Sequence, residues 1–574
     1  MPLVTEVKDL PVLHPFYYLD NFELVLDWVR TRYDDLLQEH ERQFIREFFQ
    51  LPQTSRALFV RMVMRKGEFF RASKLQYEEI GDARLAVQAL LELSWVEQDP
   101  VMDLDEVFDI LAKPEIASAF KLSAAQRQWK KADLLECLLQ QKLEHSSEAT
   151  QEASTANPSQ RRYSEWWPES EDLVWRIAVK DICQRFRLMF FGNSHQDWSE
   201  FVLSDLGIYE YETIDFSPES RGFQTRRDVD DYEALQSCRE AYEVADSVAA
   251  MEAVLARVEQ LALNNVWIEH RRQKLYFHMG QQAEKWQEWP LALRLYSASR
   301  YLGARQRRIR VLEKMGDSAA ALELLNRALA APESEAELQQ LQRSAPRLNR
   351  KLGHQKPAVI ARQEVKTLHL CLPQPQEAIS VEYVVRDHLH QDEAPVFYVE
   401  NTLFNSLLGL LCWPAVFKAL PGAFFHPFHR APVDFSSEDF VPRRAEDFAQ
   451  CLAMLDSDAY KQQIRETYRL KYGKQSPFVF WDYLDEALLE TALQCIPARD
   501  LRYWFQRILA DIKANRSGFP DLIQFFPGQQ SYQLIEVKGP GDRLQDNQLR
   551  LIDYCHQHQL PISVCYLQWQ EAKL

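Results

Sequence analysis

The sequence predicts a multidomain protein, mostly α-helical in its N-terminal and middle regions, that ends in a domain of mixed α/β type. Three observations carry this expectation. The chain has 574 residues, too many for a single core when a domain takes about 150. Apolar residues recur at three- and four-residue spacing from Tyr17 to about Trp95 and again from about Leu173 to Leu352, the period of helices buried on one face. Near the C-terminus the pattern changes to strand-like runs, Leu522 to Phe526, Tyr532 to Val537 and Ile562 to Leu567.

Taken in order, Phe22, Leu26 and Val29, then Leu58, Val60, Val63 and Met64, mark helices of an N-terminal domain over residues 1–120. Residues 121–142 place Lys130, Lys131 and Asp133 ahead of Leu134, Leu135, Leu138 and Leu139, which resembles the short helix pair of a SAP-type DNA-binding module. Over residues 143–172 the composition shifts to Ser, Thr, Ala, Gln and Glu with Pro158 and Pro168, predicting a linker or long loop. In residues 173–375 two stretches resemble each other, Glu288 to Tyr296 and Gly316 to Leu325. Small residues where helices cross, at about one helical hairpin of separation, predict tetratricopeptide-like repeats, with an ordinary helical bundle as the competing reading. Residues 376–574 form the α/β domain.

A composition of 46% hydrophobic and 12% aromatic residues, with 16 Gly and 27 Pro, is that of packed domains rather than a disordered chain. Nine scattered cysteines without a CxxC pair point to free thiols in a reducing compartment and against a zinc module. Met1 to Leu10 lacks the apolar stretch of a signal peptide, and Leu403 to Phe417 is too short and interrupted to span a bilayer, so a cytoplasmic location without membrane attachment is expected. The net charge of −17 argues against indiscriminate coating of a polyanion, so any nucleic-acid contact must come from local basic patches. Arg56, Arg61, Arg65, Lys66, Arg71 and Lys74 form one such patch, with Glu68 as the only acid in the run. Lys121, Arg127, Lys130 and Lys131 form a second, and Arg300, Arg305, Arg307, Arg308, Arg310 and Lys314 a third. Each reads equally as a solvated helix face.

Chemistry concentrates in Arg516 to Asp542. Pro520 disfavours helix at the residue before it, so Asp521 opens a strand, and Pro527 to Gln530 supply a turn that folds the chain back. In a hairpin symmetric about the Gly528–Gln529 peptide bond, residues whose numbers sum to 1057 face each other, Asp521 and Glu536 among them. Strand alternation then puts Glu536 and Lys538 on one face and turns Val537 into the core. Two adjacent carboxylates resist joint ionisation unless a cation neutralises them, and all-oxygen ligation suits Mg²⁺ or Mn²⁺. Asp521, Glu536 and Lys538 are thus the expected catalytic set of a metal-dependent phosphodiesterase. Beyond Gly539-Pro540-Gly541, Asp542 is expected to cap a helix with Gln545 three positions later, on which Leu544, Gln548, Leu551, Ile552 and Cys555 share a face. Strand, loop, helix and last strand make up a restriction-endonuclease-like core.

The run from Glu536 to Gln548 resembles the signature of the VRR-NUC nuclease domain, within the PD-(D/E)xK superfamily, and its wider context resembles the Fanconi-associated nuclease family. Read alone, Glu400 in Val399 to Trp413 is a helix-start acid. The resemblance instead implies a metal set of Glu400, Asp521, Glu536 and the Val537 backbone carbonyl. It puts Arg516 and Gln548 beside that set, each either contacting the scissile phosphate or a ligand, or simply packing behind the site. The runs Leu58 to Lys66 and Lys74 to Ile80 resemble the family's N-terminal DNA-binding region and the SAP-like segment follows in the family's order, so Arg61, Arg65 and Lys66, with Lys130 and Lys131 of the SAP-like segment, become candidate DNA contacts. The ubiquitin-binding zinc finger of the animal members has no counterpart here, so a compact bacterial-type member without that module is expected.

What the resemblance implies is a structure-specific DNA nuclease, and a monomer acting at the nucleoid is expected. Its partners would be branched or 5′-flap duplexes, with 5′-to-3′ exonuclease action, in repair of interstrand crosslinks. Two other readings stand beside it: a Holliday-junction resolvase-type endonuclease, which requires a symmetric dimer, and a non-enzymatic DNA-binding helical-repeat scaffold.

Overall fold

Aromatic spacing decides where the first helices form. In a computed structural model, which describes residues 14–148, 160–196, 209–354 and 364–570, the helices Tyr17–Tyr33, Glu39–Gln50 and Gln53–Val63 bury Phe22, Phe44, Phe48 and Phe59 against one another. Phe44 stacks on Trp95 with ring centroids 4.2 Å apart. The chain divides into two units, Met1–Ile208 and Tyr209–Leu574.

The first unit adds a three-stranded antiparallel sheet in which β5 (Val174–Ile177) lies between β1 (Phe69–Arg71) and β2 (Val96–Gln98). A short ladder pairs β3 (Val101–Met102) with β4 (Arg161–Arg162). The span 143–172 carries more regular structure than a linker. The helix Lys131–Glu148 runs into it, residues 149–159 lie outside the described residues, and Tyr163–Trp166 forms a helical turn. Tyr163 and Trp166 are buried with Met102, Val107, Phe108 and Leu134, and the Trp166 indole donates to the Met102 carbonyl at 2.9 Å. Two large aromatics inside a polar run sufficed to bring that segment into the core.

The basic patch of this unit is largely answered by acids remote in sequence. Arg71, only 9% exposed, donates to Asp172 and Glu115 at 2.7 Å each. Arg56 pairs with Glu23, and Arg61 donates to Glu79 at 2.7 Å while its guanidinium lies 3.7 Å from the centroid of the Tyr18 ring. Arg65 and Lys66 are exposed. In the second patch Lys130 is exposed, whereas Lys131 donates to the Leu111 carbonyl at 3.1 Å.

The second unit opens with helices Arg226–Glu243, Val248–Gln260, Val266–Lys285, Trp289–Ala298, Ala304–Lys314, Ser318–Ala330 and Glu335–Lys351, each packed on the next. Gly280 is small because Tyr296 crosses there: a Cβ at 280 would stand 2.7 Å from that ring. The two similar stretches seen in sequence become the helices Trp289–Ala298 and Ser318–Ala330.

A five-stranded mixed sheet follows. Its strands are β6 (Lys366–Leu372), β7 (Val396–Tyr398), β8 (Leu522–Phe526), β9 (Ser531–Lys538) and β10 (Ile562–Trp569), in the order β6-β10-β9-β8-β7. β10 runs parallel to both neighbours, and the β7-β8-β9 pairs are antiparallel. β6 falls within residues 173–375, read as helical repeats, yet belongs to this sheet; its alternating Leu368, Leu370 and Leu372 is a strand pattern. The apolar run after Glu400 is a core element: every residue of the helix Leu403–Leu411 is buried. Gly409 lets it approach the segment at Phe478, whose Cβ would lie 2.6 Å from an added Cβ. Among the described residues, no helix is long and apolar enough to cross a membrane.

Candidate metal centre

The β8–β9 hairpin has the register that its turn implies. Leu522 pairs with Ile535, Ile523 with Leu534 and Gln524 with Gln533, so Asp521, one residue before β8, comes opposite Glu536. The turn itself is a 3₁₀ segment, Pro527–Gln529, closed by Gln530 in the left-handed region at φ 49°. Asp521 Oδ2 accepts from the Val537 amide at 2.7 Å, and the Val399 amide donates to the Asp521 carbonyl at 2.8 Å. Asp521 is therefore clamped between β9 and the end of β7. Val537 is buried in the apolar cluster that includes Val385, Leu522 and Cys565.

Glu536 is 2% exposed and Lys538 7% exposed, and they meet on the same face, Lys538 Nζ donating to Glu536 Oε1 at 2.7 Å. Gln548 Nε2 reaches the same oxygen at 2.5 Å, while its Oε1 accepts from the Gln545 amide at 2.8 Å. The Gln548 side chain thus caps its own helix with one end and holds Glu536 with the other. That helix is Asp546–His558 and begins later than the sequence led us to expect. Asp542 does not cap it; its carboxylate accepts from the Gly539 amide at 3.0 Å and closes the Gly539-Pro540-Gly541 turn. Leu551, Ile552 and Cys555 are buried on the expected face.

Glu400 follows β7 at the exposed edge of the site, with Oε2 accepting from the Tyr398 hydroxyl at 2.5 Å and Oε1 from Asn401 Nδ2 at 3.1 Å. Arg516 lies apart from these bonds. Its guanidinium donates to the Pro477 carbonyl at 2.9 Å and sits 5.5 Å from the Phe435 ring centroid, which is a packing position, and burial lowers its pKa. Sequence reasoning missed Glu382, on the helix Val381–Leu389, whose charge bears on Asp521. It also missed Tyr398 and Asn401. A signal for Tyr398 existed, because Tyr398-Val399-Glu400 repeats the i, i+2 strand spacing of Glu536-Val537-Lys538.

Electrostatics at the site favour a cation. Burial raises Asp521 to about 6, aided by Glu400 and Glu382 and opposed by the Val537 amide and Lys538. Burial likewise raises Glu536 to about 7, with Asp521 adding to it and Lys538 opposing. Among the described residues no three His, Cys, Asp or Glu side chains already form a tight ligand group, since each carboxylate turns to a protein donor. The donor chemistry nonetheless fits a hard divalent ion: Asp521, Glu536 and Glu400 bring three negative charges against the single ammonium of Lys538.

A pH dependence follows. Both carboxyls are harder to ionise in the folded chain than in the unfolded one, so their contribution to stability is fully present below about pH 4 and is lost as pH rises through about 6 to 7. Without divalent ions, the melting temperature of the unmutated protein should therefore fall relative to that of Glu536→Gln between pH 5 and pH 8, and Mn²⁺ should offset the fall. Parallel pH curves for the two proteins would contradict this.

Family comparisons identify three regions. Residues 16–97 match the FAN1 HTH domain, 101–166 the Fanconi anemia-associated nuclease SAP domain, and 456–569 the VRR-NUC domain. The last match contains Arg516, Asp521, Glu536, Lys538 and Gln548 and leaves Glu400 outside. The chain is 49% identical to the Fanconi-associated nuclease 1 homolog of Pseudomonas aeruginosa over 99% of its own length and 98% of that protein. It is 23% identical to human Fanconi-associated nuclease 1, over 96% of this chain and 62% of that one. A crystal structure of paFAN1 bound to 5′-flap DNA with a 2-nucleotide flap and a gap superposes with a TM-score of 0.85 at 49% identity, covering 98% of this chain and 100% of that one.

Proposed function

The chain belongs to the Fanconi-associated nuclease family, and from that premise we propose that it cleaves DNA near 5′ flaps and related branches, with 5′-to-3′ exonuclease action, in the repair of interstrand crosslinks. It is a metal-dependent nuclease with a VRR-NUC domain. The observation that carries the reading is the hairpin register that sets Asp521 opposite Glu536, with Lys538 on the same face as Glu536.

In this reading Asp521, Glu536, Glu400 and the Val537 carbonyl hold Mg²⁺ or Mn²⁺. When bound, such an ion polarises the scissile phosphate and acidifies water. Lys538 orients the attacking water or meets negative charge developing on the phosphate. Gln548 keeps Glu536 in place through its 2.5 Å contact. Arg516 supports the site from its seat on Pro477 and Phe435.

For duplex contact the exposed Lys66 and Lys130 are the residues we favour, with the exposed Arg65, which also donates to the Lys74 carbonyl at 3.4 Å, beside them, because phosphate binding needs accessible cations and sets position without reading bases. Arg61 and Lys131, engaged by Glu79 and the Leu111 carbonyl, shape those surfaces from behind. Residues 1–120 and 121–142 would then be DNA-binding parts, which the HTH match over 16–97 and the SAP match over 101–166 support, and the helices from Arg226–Glu243 to Glu335–Lys351 would be a repeat arm. We place its action as a monomer at the nucleoid.

The test is cleavage of end-labelled 5′-flap, nicked, blunt and four-way substrates with Mn²⁺ or Mg²⁺. Cutting of the flap duplex in preference to the others is expected. Preference for the four-way junction by a dimeric species would instead favour a resolvase, and absence of metal-dependent cutting would remove the nuclease reading.

A further inference from the structure

Of the three carboxylates at the site, Glu400 alone is exposed, and nothing packs it into place as burial does for Glu536. It is nevertheless held at both oxygens. The Tyr398 hydroxyl donates to Oε2 at 2.5 Å and Asn401 Nδ2 to Oε1 at 3.1 Å. A carboxylate oxygen has two lone pairs, so each oxygen keeps one for a cation.

Both donors are themselves fixed. The Tyr398 ring stacks on Tyr383 with centroids 5.2 Å apart and planes 24° from parallel, and the Arg386 guanidinium lies 4.5 Å from the Tyr383 centroid. That stack leaves the hydroxyl aimed at Glu400. Asn401 has φ 54°, a left-handed conformation that Asn tolerates better than most residues. Its Oδ1 accepts from the Phe519 amide at 3.0 Å, two residues before Asp521, and its carbonyl accepts from Asn405 Nδ2 at 2.8 Å. Asn405 Nδ2 in turn also donates to the Arg516 carbonyl at 2.8 Å. One amide therefore ties Glu400 to the segment that carries Asp521, beside the direct link from the Val399 amide to the Asp521 carbonyl.

We propose that Tyr398 and Asn401 are positioning residues that seat Glu400 as a cation ligand facing Asp521 and Glu536. The proposal rests on the reading of Glu400 as a ligand. It gives the Tyr398 hydroxyl one role, orientation of a carboxylate that would otherwise sample solvent. Donors to the ligands of a metal change affinity roughly 10- to 100-fold when removed. Tyr398→Phe keeps the ring and its stack and deletes only the hydroxyl.

The experiment is Mn²⁺ binding, read as free Mn²⁺ by electron paramagnetic resonance, for the unmutated protein, Tyr398→Phe, Glu400→Gln and the double variant, with no DNA present. Cleavage against Mn²⁺ concentration is measured in parallel. Tyr398→Phe is expected to weaken binding roughly 10- to 100-fold, to move cleavage to higher Mn²⁺ with most of the rate recovered at saturation, and to add nothing in the Glu400→Gln background. Unchanged or tighter binding by Tyr398→Phe, with Glu400→Gln weakened, overturns this proposal alone. An equal loss from Tyr398→Phe in both backgrounds also overturns it, because the hydroxyl would then act elsewhere. Equal binding by Glu400→Gln and the unmutated protein removes the ligand reading itself, and this proposal with it.

Discussion

Asp521→Ala is expected to lower single-turnover cleavage of a flap duplex by roughly 10³-fold at saturating Mn²⁺, the scale of losing a group that stabilises charge in the transition state. Three features of the site make the effect large. The carboxylate stands opposite Glu536 across the hairpin, so its removal halves the buried anionic pair that attracts the cation. It also anchors the Val537 amide at 2.7 Å, and with it the strand that presents Glu536 and Lys538. Finally, its charge raises Glu536, so the alanine leaves Glu536 easier to ionise and drawn more fully to Lys538. Asp521→Asn separates these contributions. It retains an acceptor for the Val537 amide, and hence the strand geometry, while losing the charge. Asn and Ala variants that are equally inactive, with the Asn variant melting no lower than the unmutated protein, would mark the loss as chemical. Activity of Asp521→Ala within about tenfold of the unmutated protein would rule Asp521 out of the reaction.

Much of that site could be read from the sequence because it is local. Asp521, Glu536 and Lys538 lie on one hairpin, where a turn signal fixes register and strand alternation fixes the face. Glu400 needed the family resemblance, since it reaches the site only through the pairing of β7 with β8, and no short-range pattern reveals which distant strand will be a neighbour. Glu382 was invisible for the same reason. The helical regions were legible by their period, but their charges were not. Arg61 and Arg71 read as a free basic patch because their partners, Glu79, Glu115 and Asp172, arrive from other elements. The segment 143–172 failed for a compositional reason: Tyr163 and Trp166 bury more apolar surface than the Ser- and Glu-rich context suggested. Asp542 shows a third kind of error, in which a capping residue was recognised correctly as an acceptor but serves the Gly539 turn in place of the helix.

A second large effect lies behind the site, at a buried ion pair with no counterpart in any motif. Arg444 is 0% exposed and Asp434 4% exposed, joined by two parallel contacts of 2.8 and 3.1 Å, while Arg443 reaches the same aspartate at 2.6 Å. The Arg444 guanidinium also lies 4.2 Å from the Phe440 ring centroid. Asp434→Ala strands this buried cation beside a second arginine and is expected to destabilise the unit Tyr209–Leu574 by about 3–5 kcal/mol, measured by calorimetry. The pair itself is worth far less than that. Replacing both buried partners with apolar groups of similar volume, as in Asp434→Leu with Arg444→Met, should recover most of the loss, because the fully buried cation is gone and the partly exposed Arg443 can turn to solvent. The site would register the single change as well, since Phe435, next to Asp434, packs on Phe478 and underlies Arg516, which holds the Pro477 carbonyl. A loss below about 1 kcal/mol for Asp434→Ala would mean that water or a rearranged loop satisfies Arg444.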